Sequence, residues 1–116
     1  MRKAEESGES MELDMNAIRA LCEAKAVKWT AHVLARLQER GIEPSDVRNC
    51  IATGRIIEQY PDDYPFPSCL VLGSSVSEKT LHAVVGVGQG FLWLITAYYP
   101  DPDKWDADFS IRRETD

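Results

Sequence analysis

The chain has no apolar run near the roughly 20 residues a membrane-spanning helix needs, and its opening stretch, MRKAEESGESMELDM, lacks the apolar core of a secretory signal. Cysteine is scarce. Cys22, Cys50 and Cys69 are widely spaced with no C-x-x-C pair, which excludes a disulfide framework and a cysteine-ligated zinc site. They read as buried thiols of a reducing cytoplasm; a nucleophilic cysteine is the alternative, but none has a histidine beside it in sequence. Histidine is scarcer still: with only His32 and His82 present, a two-histidine acid–base mechanism uses both or neither.

Signature motifs are missing as well. There is no G-x-G-x-x-G fingerprint, P-loop or H-E-x-x-H; Gly86-Val87-Gly88-Gln89-Gly90 is glycine-rich, but no helix follows it. No G-x-S-x-G elbow supports a serine hydrolase. Asp62-Asp63 and Asp101/Asp103 lack the EF-hand pattern, so neither a metal nor a cofactor is expected. Excess positive charge is absent too: 13 basic against 19 acidic residues leave a net charge of −6. That argues against a protein that coats nucleic acid. Locally the balance differs. Over 28–60, Lys28, Arg36, Arg40, Arg48 and Arg55 outnumber Glu39, Glu43, Asp46 and Glu58, which allows a basic cleft on an acidic body.

What is present is a chain of 116 residues, 44% hydrophobic, enough for one domain that folds without staples. Residues 1–10 read as a polar, frayed tail, and 11–116 as a single α+β domain. The spacing of Met11, Met15, Ile18, Leu21 and Cys22 predicts a helix over 11–26. Residues 27–29 read as an extended link. Thr30 is a candidate N-cap for a helix over 31–40 closed by Gly41. Pro44 and Ser45 open a third helix over 45–53, ended by Gly54. The pattern then turns strand-like, with strands expected at 55–60, 68–72, 80–87 and 91–99. The proline-rich stretch 61–67 is a loop, and Gly88-Gln89-Gly90 a three-residue hairpin loop. The expected fold is N-terminal helices on one face of a four-stranded antiparallel sheet. Trp105, Phe109 and Ile111 are expected to tie the C-terminal segment back, and Arg112 and Arg113 to be solvated or to fold back towards an anion.

His32, Arg36 and Arg40 fall at i, i+4 and i+8 of the second helix, along one line. An imidazole beside two guanidiniums suits an anion such as phosphate; a solvated face paired with Glu39 and Glu43 is the plainer alternative. His82 lies inside a strand, as a core residue, an exposed one or a proton carrier. Thr96 and Tyr98 share one face of the last strand, and the hairpin puts His82 across from them. Tyr98 would stack on a base or donate a proton, or simply pack with its hydroxyl at the rim.

The order Trp29-Thr30-Ala31-His32, Arg36, Glu39-Arg40-Gly41-Ile42, then Leu81-His82-Ala83, then Thr96-Ala97-Tyr98-Tyr99-Pro100-Asp101 and Lys104-Trp105 resembles the bacterial family known as domain of unknown function 4258, over about 27–113. The resemblance implies an α+β fold similar to the barnase/EndoU/colicin/RelE superfamily of small ribonucleases and toxins, with His32, Arg36, Arg40, His82, Thr96 and Tyr98 at its polar motif positions. The resulting expectation is a metal-independent endoribonuclease, extending to the toxin of a toxin–antitoxin pair, with RNA and an antitoxin as partners. In it His32, His82 and Tyr98 handle protons or stack a base, Arg36 and Arg40 bind phosphate, and Thr96 positions the substrate. The alternative is a non-catalytic module that holds a protein or an anion in the same cleft.

Overall fold

The structure, a computed structural model, describes residues 12–114; the tail expected at 1–10, and Met11 of the first expected helix, lie outside the described residues. Among the described residues three helices, α1 (Met15–Glu23), α2 (Ala31–Glu39) and α3 (Pro44–Thr53), accompany five strands: β1 (Val27–Lys28), β2 (Arg55–Tyr60), β3 (Ser68–Ser74), β4 (Thr80–Gly88) and β5 (Phe91–Tyr98). The sheet order is β1-β5-β4-β3-β2. The α+β class holds, but the sheet is five-stranded and mixed rather than four-stranded and antiparallel. Val27 and Lys28 pair in parallel with Leu92 and Trp93, so the expected link is an edge strand. Two residues are too few for alternation to declare themselves as a strand.

α1 is shorter than its apolar stripe suggests. Leu13 is held outside the helix by Gln59, whose side-chain amide accepts from the Leu13 N–H and donates to its carbonyl, at 2.9 and 2.8 Å. At the other end Lys25 turns left-handed (φ 61°). The Ala26 N–H then reaches the Leu21 carbonyl and the Lys25 N–H that of Cys22, a Schellman closure made without glycine. α2 ends in the same way with glycine in place: Gly41 has φ 70°, its N–H bonds the Gln38 carbonyl, and the Ile42 N–H bonds that of Leu37. At its start the Thr30 hydroxyl accepts from the Val33 N–H at 3.1 Å, as an N-cap should.

Leu81, Ala83 and Val85 of β4 and Leu92, Leu94 and Ala97 of β5 meet Ile18, Val33, Leu37, Val47, Cys50 and Ile51 of the helices in one buried core. Leu94 and Ala97 are three residues apart yet share this face, because a bulge at Ile95 resets the alternation: Val85 pairs with Leu94, but Val84 pairs with Thr96. The β4–β5 hairpin turns on Gln89 and Gly90, at φ 57° and 82°, the two left-handed residues a tight hairpin requires. Gly88 pairs with Phe91 inside the ladder, so the turn has two residues, not three. With the bulge, this register places His82 opposite Tyr98.

The opposite face of the sheet is covered by the C-terminal segment. Trp105 is buried, and a bridge between Trp105 and Arg112 folds the segment on itself. The Ile111 side chain stays exposed; Ile111 holds the segment through its backbone instead, its carbonyl accepting from the Asp106 N–H and its N–H donating to the Asp106 carboxylate.

α3 lies so close to β3 that a Cβ at Gly73 would collide with the backbone carbonyl of Cys50. Backbone on both sides leaves nowhere to yield. Gly73→Ala is expected to cost about 3 kcal/mol, seen as a lowered urea midpoint with an unchanged m-value.

Candidate functional site

The edge of β5 builds the site. β1 pairs only with Leu92 and Trp93, so beyond them β5 has, among the described residues, no strand on the side away from β4. α2 stands along this stretch with Val33 and Leu37 turned into the core. One nitrogen of Arg40, Nη1, donates to the Ala97 carbonyl at 2.9 Å and to the Thr96 hydroxyl at 3.0 Å. Arg40 thereby satisfies one carbonyl of the strand edge, while its Nε and Nη2 make no hydrogen bond among the described residues.

A groove of about 370 Å³ opens here, lined by His32, Arg36, Arg40, Ile95 and Thr96 over the flanks of Val33 and Leu37. His32 is exposed and has no hydrogen-bond partner among the described residues. Arg36 is half-exposed, 3.6 Å from Glu39, a loose surface pair of little energetic weight. The helical row and Thr96 are therefore brought together in one concave, solvent-open place.

His82 and Tyr98 are not part of it. Ala83 and Ala97 point into the helical core, so alternation sends His82 and Tyr98 to the opposite face. There His82 is fully buried. Its Nε2–H donates to the Phe109 carbonyl at 2.9 Å, and Nδ1 lies 3.4 Å from the Tyr98 hydroxyl. A carbonyl only accepts, which fixes the proton on Nε2 in the neutral ring. The Trp105 ring meets the imidazole edge-on at 4.5 Å. Burial lowers the His82 pKa, against the upward pull of the Phe109 carbonyl and the Glu58 charge. His82 is a neutral, partnered core histidine, and the two histidines do not share a cleft.

Beside it lies a cluster that the sequence did not announce. Arg112 donates twice to Glu58, at 3.0 and 3.1 Å, and stands 4.7 Å over the Trp105 ring. The Tyr60 hydroxyl also donates to Glu58. Burial pushes the Glu58 carboxyl up, but the bonds from Arg112 and Tyr60 outweigh it and hold the pKa below its ordinary value. Arg112 folds back, then, onto a carboxylate rather than an anionic ligand. Arg113 donates to the Pro102 carbonyl. Only the alternation of Glu58 and Tyr60 along β2 hinted at this cluster.

The thiols are free, and burial pushes Cys50 and Cys69 up to about 12, far from nucleophilic use. Among the described residues no group of three or more His, Cys, Asp or Glu is arranged to hold a metal, and no helix is long and apolar enough to cross a membrane.

Residues 29–99 match the family described as domain of unknown function 4258. The chain belongs to that family. The match contains His32, Arg36, Arg40, His82, Thr96 and Tyr98, while the C-terminal segment that covers His82 lies beyond it. Neither the curated proteins nor the solved structures contain a match to this chain.

The depressed pKa of His82 has a consequence for stability. The unfolded ring titrates near 6.5 and the folded ring lower, so between the two the unfolded state binds more protons. The contribution is complete above about pH 6.5 and declines as the pH falls below it. The urea midpoint is expected to drop between pH 7.5 and pH 5.5, and the drop to shrink in His82→Gln. At pH 7.5, His82→Ala should cost about 3 kcal/mol through the cavity and the orphaned Phe109 carbonyl.

Proposed function

We propose that the α2–β5 groove binds the phosphate backbone of RNA. The observation that carries this reading is the state of Arg40: one nitrogen is fixed on Thr96 and Ala97, and the rest of the guanidinium faces a groove shared with Arg36 and His32. A guanidinium whose rotamer is already set loses little entropy on gripping a phosphate, and its planar fork matches two phosphate oxygens.

Cleavage is the second reading, favoured by the exposure of His32 in that same groove. An exposed imidazole next to two guanidiniums can take the 2′-hydroxyl proton as the 2′-oxygen attacks phosphorus; the arginines stabilise the phosphorane, and the P–O5′ bond breaks to leave a 2′,3′-cyclic phosphate while the 5′-oxygen takes a proton from water or from the imidazolium just formed. The scheme with His32 and His82 as paired acid and base loses its support, because His82 is buried on the other face; Tyr98 leaves the scheme with it. In the endoribonuclease form that remains, His32 carries the proton chemistry and Thr96 positions the arginine. Kinship with the barnase/EndoU/colicin/RelE superfamily, and a toxin role with an antitoxin partner, extend this second reading; the α+β layout is compatible with both.

The test is a mixed RNA pool incubated with the protein in EDTA, followed for both retention and cleavage. Arg36→Ala/Arg40→Lys is expected to weaken retention about tenfold or more, and to flatten its salt dependence by about one phosphate contact, since Lys keeps the charge at position 40. Retention that ignores these changes rejects the groove. Cleavage that persists in His32→Ala removes the catalytic reading and leaves binding in place.

A further inference from the structure

A second and larger concavity adjoins the basic groove. It has a volume of about 650 Å³ and is mostly apolar, with Tyr64, Phe66 and Trp93 presenting rings to it and Val33 and Ile95 forming its border with the groove of His32, Arg36 and Arg40. We infer that it is a stacking subsite for an unpaired base of single-stranded RNA whose phosphates lie on Arg36 and Arg40. This rests on the reading of the basic groove as a phosphate site.

The aromatic platform is built in advance. Gly86 and Gly88 leave the sheet bare beneath Phe66, and a Cβ at Gly88 would collide with the Phe66 ring. Phe66 stands 5.5 Å from Trp93, with the ring planes inclined by 33°. The Trp93 Nε1–H donates to the Gly88 carbonyl at 3.0 Å, which fixes the indole. The loop that carries Tyr64 is fastened at both sides: the Ser68 hydroxyl donates to Asp63 at 2.6 Å, and the Val87 N–H bonds the Pro67 carbonyl. Tyr64 itself is 90% exposed, a large ring left in water on a fastened loop.

The occupant follows from the two halves together. An apolar peptide would use the rings and have no need of the arginines; a free phosphate would use the arginines and ignore the rings. An unpaired nucleotide has a flat apolar face and a charged backbone a bond or two away, so it engages both. A base inside a duplex hides that face, so the subsite selects single strands.

The experiment measures two probes, a fluorescein-labelled ten-nucleotide oligouridylate and inorganic tripolyphosphate, against wild type, Tyr64→Ala, Tyr64→Phe and Arg36→Ala/Arg40→Lys. Tyr64 is exposed, so its loss leaves the fold intact. The expected result is oligonucleotide affinity about tenfold weaker in Tyr64→Ala and preserved in Tyr64→Phe, with tripolyphosphate affinity the same in wild type and both Tyr64 variants and weaker in the arginine variant. A weakened oligonucleotide should also quench tryptophan emission less, and Trp93→Phe should abolish the quench. Oligonucleotide affinity that ignores Tyr64→Ala but falls in the arginine variant overturns the stacking subsite and leaves the phosphate groove standing. A Tyr64 effect with no arginine effect overturns the joined site. Failure of wild type to bind either probe overturns subsite and groove alike.

Discussion

An unfinished strand edge governs this molecule. β5 is central to the sheet for its first residues, where β1 pairs with Leu92 and Trp93, and an edge for the remainder. An exposed edge offers unpaired carbonyls and N–H groups that must be satisfied or shielded. Here a helix does it: α2 follows β1 directly, lies along the open stretch, and its last turn supplies Arg40 to the Ala97 carbonyl. Because that guanidinium is fixed by a structural need, the residues one and two turns earlier on the same face, Arg36 and His32, are set beside the same groove. The bulge at Ile95 helps, turning the strand where the helix meets it.

The sheet sorts the two histidines by the parity of its residues. His82 is one step from Ala83, which the core claims, and so faces away from the helices. The C-terminal segment then completes its surroundings with the Phe109 carbonyl and the Trp105 ring. A charged imidazole there would surrender solvation for which a single carbonyl and a distant carboxylate are poor compensation. His32, on an exposed helix turn, stays in water and opens onto the groove. Identical side chains thus acquire different chemistry from nothing more than which face of which element holds them.

Much of this was legible in the sequence. The helical row of His32, Arg36 and Arg40 follows from the spacing alone, since three residues at i, i+4 and i+8 cannot avoid one another's face. The C-cap of α2 follows from Gly41, and a hairpin around Gly88-Gln89-Gly90 from its glycines, although the turn itself proves to be two residues because Gly88 pairs with Phe91. What stayed hidden depends on partners distant in sequence. β1 is defined by Leu92 and Trp93 rather than by its own two residues. The bulge at Ile95 moves His82 from opposite Ala97 to opposite Tyr98, and no local pattern marks it. The end of α1 rests on Lys25 in a left-handed conformation that side chains rarely adopt, and its start on a Gln59 amide far along the chain. Tyr64 and Phe66 sit in a proline-rich stretch that reads correctly as a loop, but which side of the sheet the loop covers depends on the bare surface that Gly86 and Gly88 leave.

The net charge of −6 bears on how such a protein would hold a polyanion. A nucleic-acid coat draws its affinity from a broad positive field and the counterions it releases. This chain has no such field, and at a distance its acidic surface repels RNA. At physiological ionic strength that repulsion is screened beyond about 8 Å, so approach is slowed rather than barred. On the proposed reading, contact with two guanidiniums and a set of rings within the groove would outweigh charges farther away. Recognition under these terms must come from short-range fit: a fixed fork on a phosphate, a ring on a base. On the proposed reading, then, a protein of this charge would have little affinity for nucleic acid in general and would reserve it for a strand whose backbone and bases reach both halves of the site at once.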